Sequence, residues 1–211
     1  MVLRPTGERQ VHLVQGAGGP LGGDALSLDV DVCAGAELRV RSAGATLVQA
    51  GTEDGPARWA TTIRVRAAGR IDWAPEPTIV SDGASLESWL RIELAGDATA
   101  AVREVVVLGR HGQRGGRYRG AVNVTVGGRA LLTQTTLLDG ADPALAGPGG
   151  SAGARAVGTF LLVGAPRRPS GCGERSGVRW AWSALAGPGD LLTAVGEPGA
   201  VGAVLEAVSP G

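Results

Sequence analysis

The chain contains no lysine, and all twenty of its basic residues are arginine. This absence excludes mechanisms that need a lysine, including Schiff-base catalysis and the phosphate grip of a P-loop. Only two cysteines are present, Cys33 and Cys172, which cannot by themselves form a disulfide framework or a structural zinc site. Tyr118 and Phe160 join five tryptophans, too few aromatic residues to predict a base-stacking platform for nucleic acid.

Net charge and long apolar runs are also missing. Twenty acidic residues balance the twenty arginines, so no general electrostatic field attracts the chain to nucleic acid or to an anionic membrane. No apolar run approaches the length of a transmembrane helix. Residues 1–9 are mostly polar and lack the apolar core of a signal peptide. We therefore expect a cytoplasmic protein with neither nucleic-acid nor membrane partners.

Glycine, by contrast, is abundant, with 36 residues in a chain of 211. Four of them, Gly18, Gly19, Gly22 and Gly23, form a loop that ends in Asp24. The residues that follow alternate strictly between apolar and polar, which predicts a half-buried strand. Asp24 therefore lies where a glycine loop enters a sheet. The structural interpretation of this position is a carboxylate that closes a tight turn by binding nearby amides.

The same unit recurs along the chain: an alternating strand, a glycine turn and a second strand. The turn glycines lie at positions 35, 69, 96 and 128, an irregular repeat of roughly 30 residues. Each unit taken alone predicts an antiparallel hairpin. Together they predict a mainly β fold, a layered β-helix-like stack of short antiparallel hairpins. A meandering β-sandwich is the alternative that the same pattern allows.

The length of the chain predicts a single domain over residues 1–211, in which residues 166–211 supply a strand and a little C-terminal helix. Residues 166–176 are basic and contain glycine, which predicts a loop. Pro198 suits the first position of a helix. The apolar residues after it have helical spacing; they are Val201, Val204, Leu205 and Val208.

Side chains suited to catalysis or to tight metal binding are scarce. A hydrolase would have to use His12 or His111, and neither lies near a nucleophile elbow. The glycine loop lacks the ending of a P-loop and precedes a strand rather than a helix, which argues against phosphate binding. Asp24, Glu76 and Glu104 offer hard oxygen ligands, which would contact a divalent ion weakly and release it.

A basic, glycine-containing segment follows one of the most apolar strands and contains Arg110, Arg114 and Arg117. Arginine side chains suit carboxylates, phosphates and protein interfaces. On a chain without net charge, this loop predicts a protein partner rather than nucleic acid, with a solvated loop as the alternative.

Several short segments form an ordered set of motifs. They are Gly18–Val30, Gly35-Ala36 with Val40–Thr46, Trp73–Ile79 with Gly83-Ala84, Glu104 with Leu108–Arg110, Gly128–Leu132 and Leu138–Gly140. Together these motifs resemble the urease accessory protein D family, called H in some bacteria, and the resemblance covers roughly residues 11–165.

The resemblance implies a non-enzymatic maturation factor for the nickel enzyme urease, with a layered β-helix-like fold. It implies that the chain binds the F accessory protein, reaches the GTPase of the G type through F, and contacts the urease apoprotein. Nickel would pass through an internal channel, so no cofactor would be tightly bound and nickel would be only in transit. Asp24 matches the family aspartate of the glycine motif and is implied to line the channel, and Thr46 matches a family threonine.

The sequence departs from the family pattern at three places. Gln15 stands where many members have histidine, Gln134 where many have glutamate, and Glu76-Pro77 where Gln-Glu is commoner. Spaced carboxylates agree with passage of nickel rather than storage, because several soft ligands together would trap the ion. A β-solenoid binding module with a different protein partner stays open. So does contact with nickel by any of four residues: Cys33, Cys172, His12 and His111.

Overall fold

The structure, a computed structural model that describes residues 1–52 and 55–208, confirms a mainly β fold with solenoid-like stacking and a short C-terminal helix. Eleven strands form a large sheet and five form a small sheet. The large sheet contains β1 (Val2–Gly7), β2 (Gln10–Val14), β4 (Glu37–Ser42), β5 (Thr46–Val48), β7 (Arg70–Trp73), β8 (Thr78–Val80), β10 (Thr99–Leu108), β13 (Ala156–Val163), β14 (Gly171–Arg175), β15 (Val178–Ala184) and β16 (Gly189–Gly196). The small sheet contains β3 (Ala25–Val32), β6 (Ala57–Val65), β9 (Ser85–Leu94), β11 (Arg117–Val126) and β12 (Arg129–Asp139). The helices are α1 (Pro143–Ala146) and α2 (Pro198–Val208).

The chain winds between the two sheets. From β2 to β11 its longer strands fall alternately in the large and the small sheet, and each of them up to β9 pairs in parallel with the strand one turn of the winding later. This winding is the path of a β-solenoid rather than of a meandering sandwich. The strands after β11 pair antiparallel and complete both sheets.

The hairpin interpretation was wrong for three of the four glycine turns. The turns at Gly35, Gly69 and Gly96 each join a strand of the small sheet to a strand of the large sheet. These turns stack on one another instead, since the Gly35 N–H donates to the Ala67 carbonyl and the Thr99 N–H donates to the Gly69 carbonyl. Alternating strands and a glycine turn are common to a hairpin and to a solenoid corner, so the pattern alone does not reveal the pairing partner.

The fourth turn is a hairpin, as predicted. Gly127 and Gly128 both have positive φ, +56° and +77°, which glycine adopts without a Cβ penalty. They connect β11 to β12, which pair antiparallel at the edge of the small sheet.

In-register parallel pairing builds the core from rows of similar side chains that run across the strands. Ile63, Ile92 and Val124 form one such row in the small sheet, and each is at most 1% exposed. Trp73 and Val102 belong to a row of the large sheet that packs in the same core cluster. The space between the two sheets is therefore the main hydrophobic core.

The C-terminal part contains more strand than the sequence predicted. Three strands, β14 to β16, precede the helix, and β14 lies inside the segment predicted as a basic loop. Glycines at 171 and 173 made this segment look like a loop, although a strand at the edge of a sheet tolerates them. Helix α2 packs against β13, β16 and β10. Within residues 1–52 and 55–208, neither helix combines the length and the apolar character needed to cross a membrane.

Candidate functional site

One row across the small sheet breaks the aliphatic pattern of the core. Its members are direct register partners on five successive strands: Leu26, Trp59, Ser88, Gly120 and Thr136. Serine, glycine and threonine fill less volume than isoleucine or valine, so this row leaves space between the two sheets. We call it the open row. Three adjoining cavities are lined by its members.

The three cavities follow one another along the open row. The glycine-loop cavity is lined by residues 15–20, Asp24, Leu26 and Trp59. Trp59 also lines the next space, the Glu76 cavity, together with Ser42, Thr46, Thr61, Glu76 and Ser88. Glu104, Val106 and Tyr118 are shared between the Glu76 cavity and the last space, the Gln134 cavity, which also contains Gly120, Gln134, Thr136 and Thr159. Each cavity therefore shares lining residues with the next.

Glu104 occupies the junction between two of these cavities. It lies in β10, opposite Thr159 of β13, on the face of that strand that lines both cavities. The residue is partly exposed. Burial raises the pKa of the Glu104 carboxyl from 4.5 to about 7, because a carboxylate loses hydration energy when it is enclosed. This position therefore holds a carboxyl group that is easily protonated.

Tyr118 lies beside Glu104, and its hydroxyl is hydrogen-bonded to Ser88. Burial, reinforced by the negative charge of Glu104, raises the pKa of the tyrosine hydroxyl far above its usual value. The hydroxyl is therefore a neutral donor at any physiological pH. The ring can lie here because Gly120 has no side chain: a Cβ atom at that position would overlap the Tyr118 hydroxyl.

The glycine loop is held in place by Asp24. The Asp24 carboxylate accepts a hydrogen bond from the Leu21 N–H at 2.9 Å, and the Asp24 N–H donates to the Leu21 carbonyl at 3.0 Å. Gly19 and Gly23 have φ values of +130° and +89°, so this turn needs glycine at both positions. Asp24 is exposed and lines the glycine-loop cavity. It thus closes the turn and also faces a cavity.

The structure brings Thr46, Glu76 and Glu104 together around one cavity, with Asp24 in the cavity next to it. Thr46 is buried, whereas Glu76 is exposed. The Glu76 N–H donates to the Ser42 hydroxyl at 2.8 Å, which fixes the backbone at this opening. Two of the predicted metal contacts, Glu76 and Glu104, therefore line one cavity with the predicted channel residue Thr46, and the third, Asp24, lines the adjoining one.

The predicted partner loop is only partly a loop. Arg110 and Arg114 are exposed in the connection between β10 and β11, but Arg117 is the first residue of β11 and pairs with Asp139 at 3.1 Å. Among the described residues, neither Arg110 nor Arg114 forms an ion pair with an acidic side chain. The loop is tied down by its backbone, since the Arg110 N–H donates to the side chain of Gln113 and Arg155 donates to the Arg110 carbonyl.

The histidines and cysteines lie away from the cavity junction. His12 is hydrogen-bonded to Thr6 through its Nδ1 atom at 2.7 Å, and His111 is exposed in the basic loop. Cys33 and Cys172 are free and exposed. In the part of the chain that the structure describes, no three side chains of His, Cys, Asp or Glu converge closely enough to hold a metal ion.

Sequence reasoning missed the residues that complete the cavities. Ser88, Tyr118, Thr136 and Thr159 line them, and no local motif marks any of these four. One signal was available: Gly120 interrupts an alternating strand, and glycine inside a strand often marks a close approach of other atoms.

Known proteins are similar to this chain over nearly its whole length. A family model described as UreD urease accessory protein matches residues 1–200. The urease accessory protein UreD of Frankia alni is 38% identical over 203 residues, which cover 89% of this chain and 68% of that protein. The urease accessory protein UreD of Parafrankia sp. is 39% identical over 207 residues, which cover 89% of this chain and 70% of that protein. Urease accessory protein UreD 1 of Saccharopolyspora erythraea is 39% identical over 192 residues, which cover 90% of this chain and 72% of that protein.

We expect the buried carboxyl of Glu104 to make stability depend on pH. A folded-state pKa of about 7 against 4.5 means that the folded protein gains stability from this group below pH 4.5 and loses it as the pH rises towards 7. Glu104→Gln removes the free-energy cost of ionising a carboxyl group at this buried position. Its free energy of unfolding relative to the native sequence should therefore rise by about 3 kcal/mol between pH 4.5 and pH 8. Urea denaturation across this range measures the difference, with Glu174→Gln on exposed strand β14 as the control. A pH-independent difference would contradict the assignment.

The turn closed by Asp24 gives a second expectation. Asp24→Ala loses the hydrogen bond from the Leu21 N–H and should lower the free energy of unfolding by about 1 kcal/mol. Asp24→Asn keeps an oxygen acceptor for the Leu21 N–H and should lower the free energy of unfolding by less than Asp24→Ala does. Denaturation midpoints of the two variants test this order, and equal stability of Asp24→Ala and the native protein would show that the bond contributes nothing.

Proposed function

This chain belongs to the urease accessory protein UreD family, and from that premise we propose that it is a non-catalytic scaffold of urease maturation that conducts nickel to apo-urease. The observation that carries the proposal is the line of cavities along the open row, with the buried carboxyl of Glu104 at its central junction. A scaffold without a conduit would have no reason to enclose a carboxyl group in its core, where desolvation makes it costly.

The chemistry of the lining supports transit of the ion rather than storage. Carboxyl groups occur singly along the path, with Asp24 in the first cavity, Glu76 at the opening of the second and Glu104 at the junction. Hydroxyl and amide oxygens of Thr46 and Gln134 lie between and beyond them. Nickel prefers imidazole and thiolate ligands, so isolated hard oxygens attract the cation without holding it.

The resemblance supplies the partners that we propose. The F accessory protein would bind the scaffold and bring the GTPase of the G type, and the urease apoprotein would receive the ion, all in the cytoplasm. The exposed side chains of Arg110 and Arg114, which lack acidic partners among the described residues, support the basic loop as one contact surface for a protein.

The conduit is tested by filling it. Thr136 points into the Gln134 cavity opposite Gly120, whereas the neighbouring Thr135 is exposed on the outer face of the same strand. Thr136→Tyr should block the path and leave urease largely without nickel after co-expression with the other accessory proteins. Thr135→Tyr adds the same bulk outside and should leave the nickel content unchanged.

Nickel per urease active site, measured by mass spectrometry of purified urease, distinguishes these two variants. Equal loading with both tyrosine variants would rule out passage through the Gln134 cavity, provided that both retain the native melting temperature.

The carboxylates are tested by removing their charge and not their shape. Glu104→Gln and Asp24→Asn each remove a negative charge from the path. If that charge lowers the barrier for the cation by about 1.4 kcal/mol, its loss slows nickel loading roughly tenfold. Glu104→Asp should retain loading. Because Glu104→Gln is expected to be at least as stable as the native protein near pH 8, slower loading cannot be ascribed to unfolding. Full-rate loading with both amide variants would refute the role of these carboxylates.

A further inference from the structure

A second open surface lies at the C-terminal end of the molecule, on the opposite face of the large sheet. It is a groove between helix α2 and the hairpin of β14 and β15, and none of its lining residues lines the cavities described above. Its volume, about 660 Å³, is that of an ordinary binding pocket, so its lining residues determine what fits. We call this surface the C-terminal groove.

Two tryptophans form the floor of the C-terminal groove. The alternation of β15 places Trp180 and Trp182 on the same face of the hairpin. Their register partners in β14 are Gly173 and Gly171, so no side chain from the edge strand covers the indole rings. A Cβ atom at Gly173 would lie only 3.0 Å from Cζ2 of Trp180, which shows that the ring lies across that glycine. The pairing leaves part of the Trp180 ring uncovered, whereas Trp182 is buried, with the Arg168 guanidinium over its ring.

Helix α2 forms one wall of the groove. Val201 and Leu205 are fully buried against the sheet. Ala200, Ala203 and Ala207, at helical spacing i, i+3 and i+7, line the groove together with Val204 and Val208. Short side chains along one face let a second helix approach closely, because they place no bulk between the two axes. The wall therefore fits a helical partner better than a bulky loop.

The charged residues of the C-terminal groove are both arginines. Arg168 places its guanidinium 4.9 Å from the centre of the Trp182 ring and donates to the Val208 carbonyl at 2.9 Å, and Arg175 lies on the opposite strand β14. No acidic side chain of the described residues lines the groove, although acids and bases are equal in number over the chain. An apolar floor with basic residues at its margin complements an apolar segment that carries carboxylates.

We propose that the C-terminal groove binds an acidic amphipathic helix of a partner protein. The apolar face of that helix would cover Trp180 beside the alanines of α2, and its carboxylates would pair with Arg168 and Arg175. Large aromatic residues and arginine are the residue types that dominate binding energy at protein interfaces. The site shares no residue with the nickel path, so it can be present or absent independently of the proposed function.

Site-specific photo-cross-linking identifies the occupant. A benzophenone amino acid replaces Ala203 in the groove or, as a control, Ala67, which is exposed at a solenoid corner away from the groove. The full chain is expressed together with urease and its accessory proteins, and adducts are identified by peptide mass spectrometry. We expect the Ala203 position to cross-link to one apolar and acidic helical peptide that the Ala67 position does not reach.

Charge reversal then tests the recognition. Arg168→Glu combined with Arg175→Glu should reduce that adduct, and binding of the corresponding synthetic peptide measured by tryptophan fluorescence, roughly tenfold or more. Arg70→Glu combined with Arg129→Glu makes the same change in net charge at exposed positions elsewhere and should leave binding unchanged.

Three results would overturn the proposal. One is an absence of adducts at Ala203 above the Ala67 control. Another is cross-linking only to a second copy of this chain, and the third is an adduct with a basic or wholly polar peptide. Nickel loading of urease in the same cells is a separate readout, so failure of the groove and failure of the conduit are distinguishable.

Discussion

In-register parallel stacking is the constraint on which the rest of this structure depends. Each strand of the small sheet from β3 to β11 pairs in parallel with its neighbour, so a side chain at one position is followed by its register partners across the whole sheet. Rows of isoleucine and valine then fill the core without gaps. The same rule turns the small side chains at Ser88, Gly120 and Thr136 into adjoining cavities. The cavities are therefore a consequence of composition along one row and need no separate folding device.

Enclosing Glu104 in this space works against stability, since burial opposes ionisation of its carboxyl group. Desolvation is the cause of the raised pKa of Glu104, and its negative charge also raises the pKa of the neighbouring Tyr118 hydroxyl. A fold selected only for stability would place an aliphatic residue here, as it does at Val102 and Val106 on the same face of β10. The carboxyl group is more readily explained by a requirement for charge on the path.

The local parts of this structure could be predicted from the sequence, and the non-local parts could not. Period-2 alternation predicted the strands, and side-chain chemistry predicted that Asp24 closes a turn, because both depend on neighbouring residues. The hairpin interpretation failed at Gly35 because alternation does not encode which strand is the partner. Glu104 was selected by its hard oxygens and the family motif, but its burial follows from β13 and β11, which lie far away in sequence. Thr136 had no local signal, because it joins the open row only through pairing with β11.

The large sheet keeps the two proposed surfaces apart by the same alternation that builds the core. Leu191 and Leu192 are adjacent in β16, yet Leu191 lines the Gln134 cavity and Leu192 lines the C-terminal groove. A helix bound in the groove would therefore rest on the back of the sheet that carries Glu104, one strand layer from the ion path. Because a β-strand directs successive side chains to opposite faces, a partner can bind in the groove or leave it without contacting the residues that line the cavities. This separation allows a scaffold to hold a partner on one face while the interior stays open.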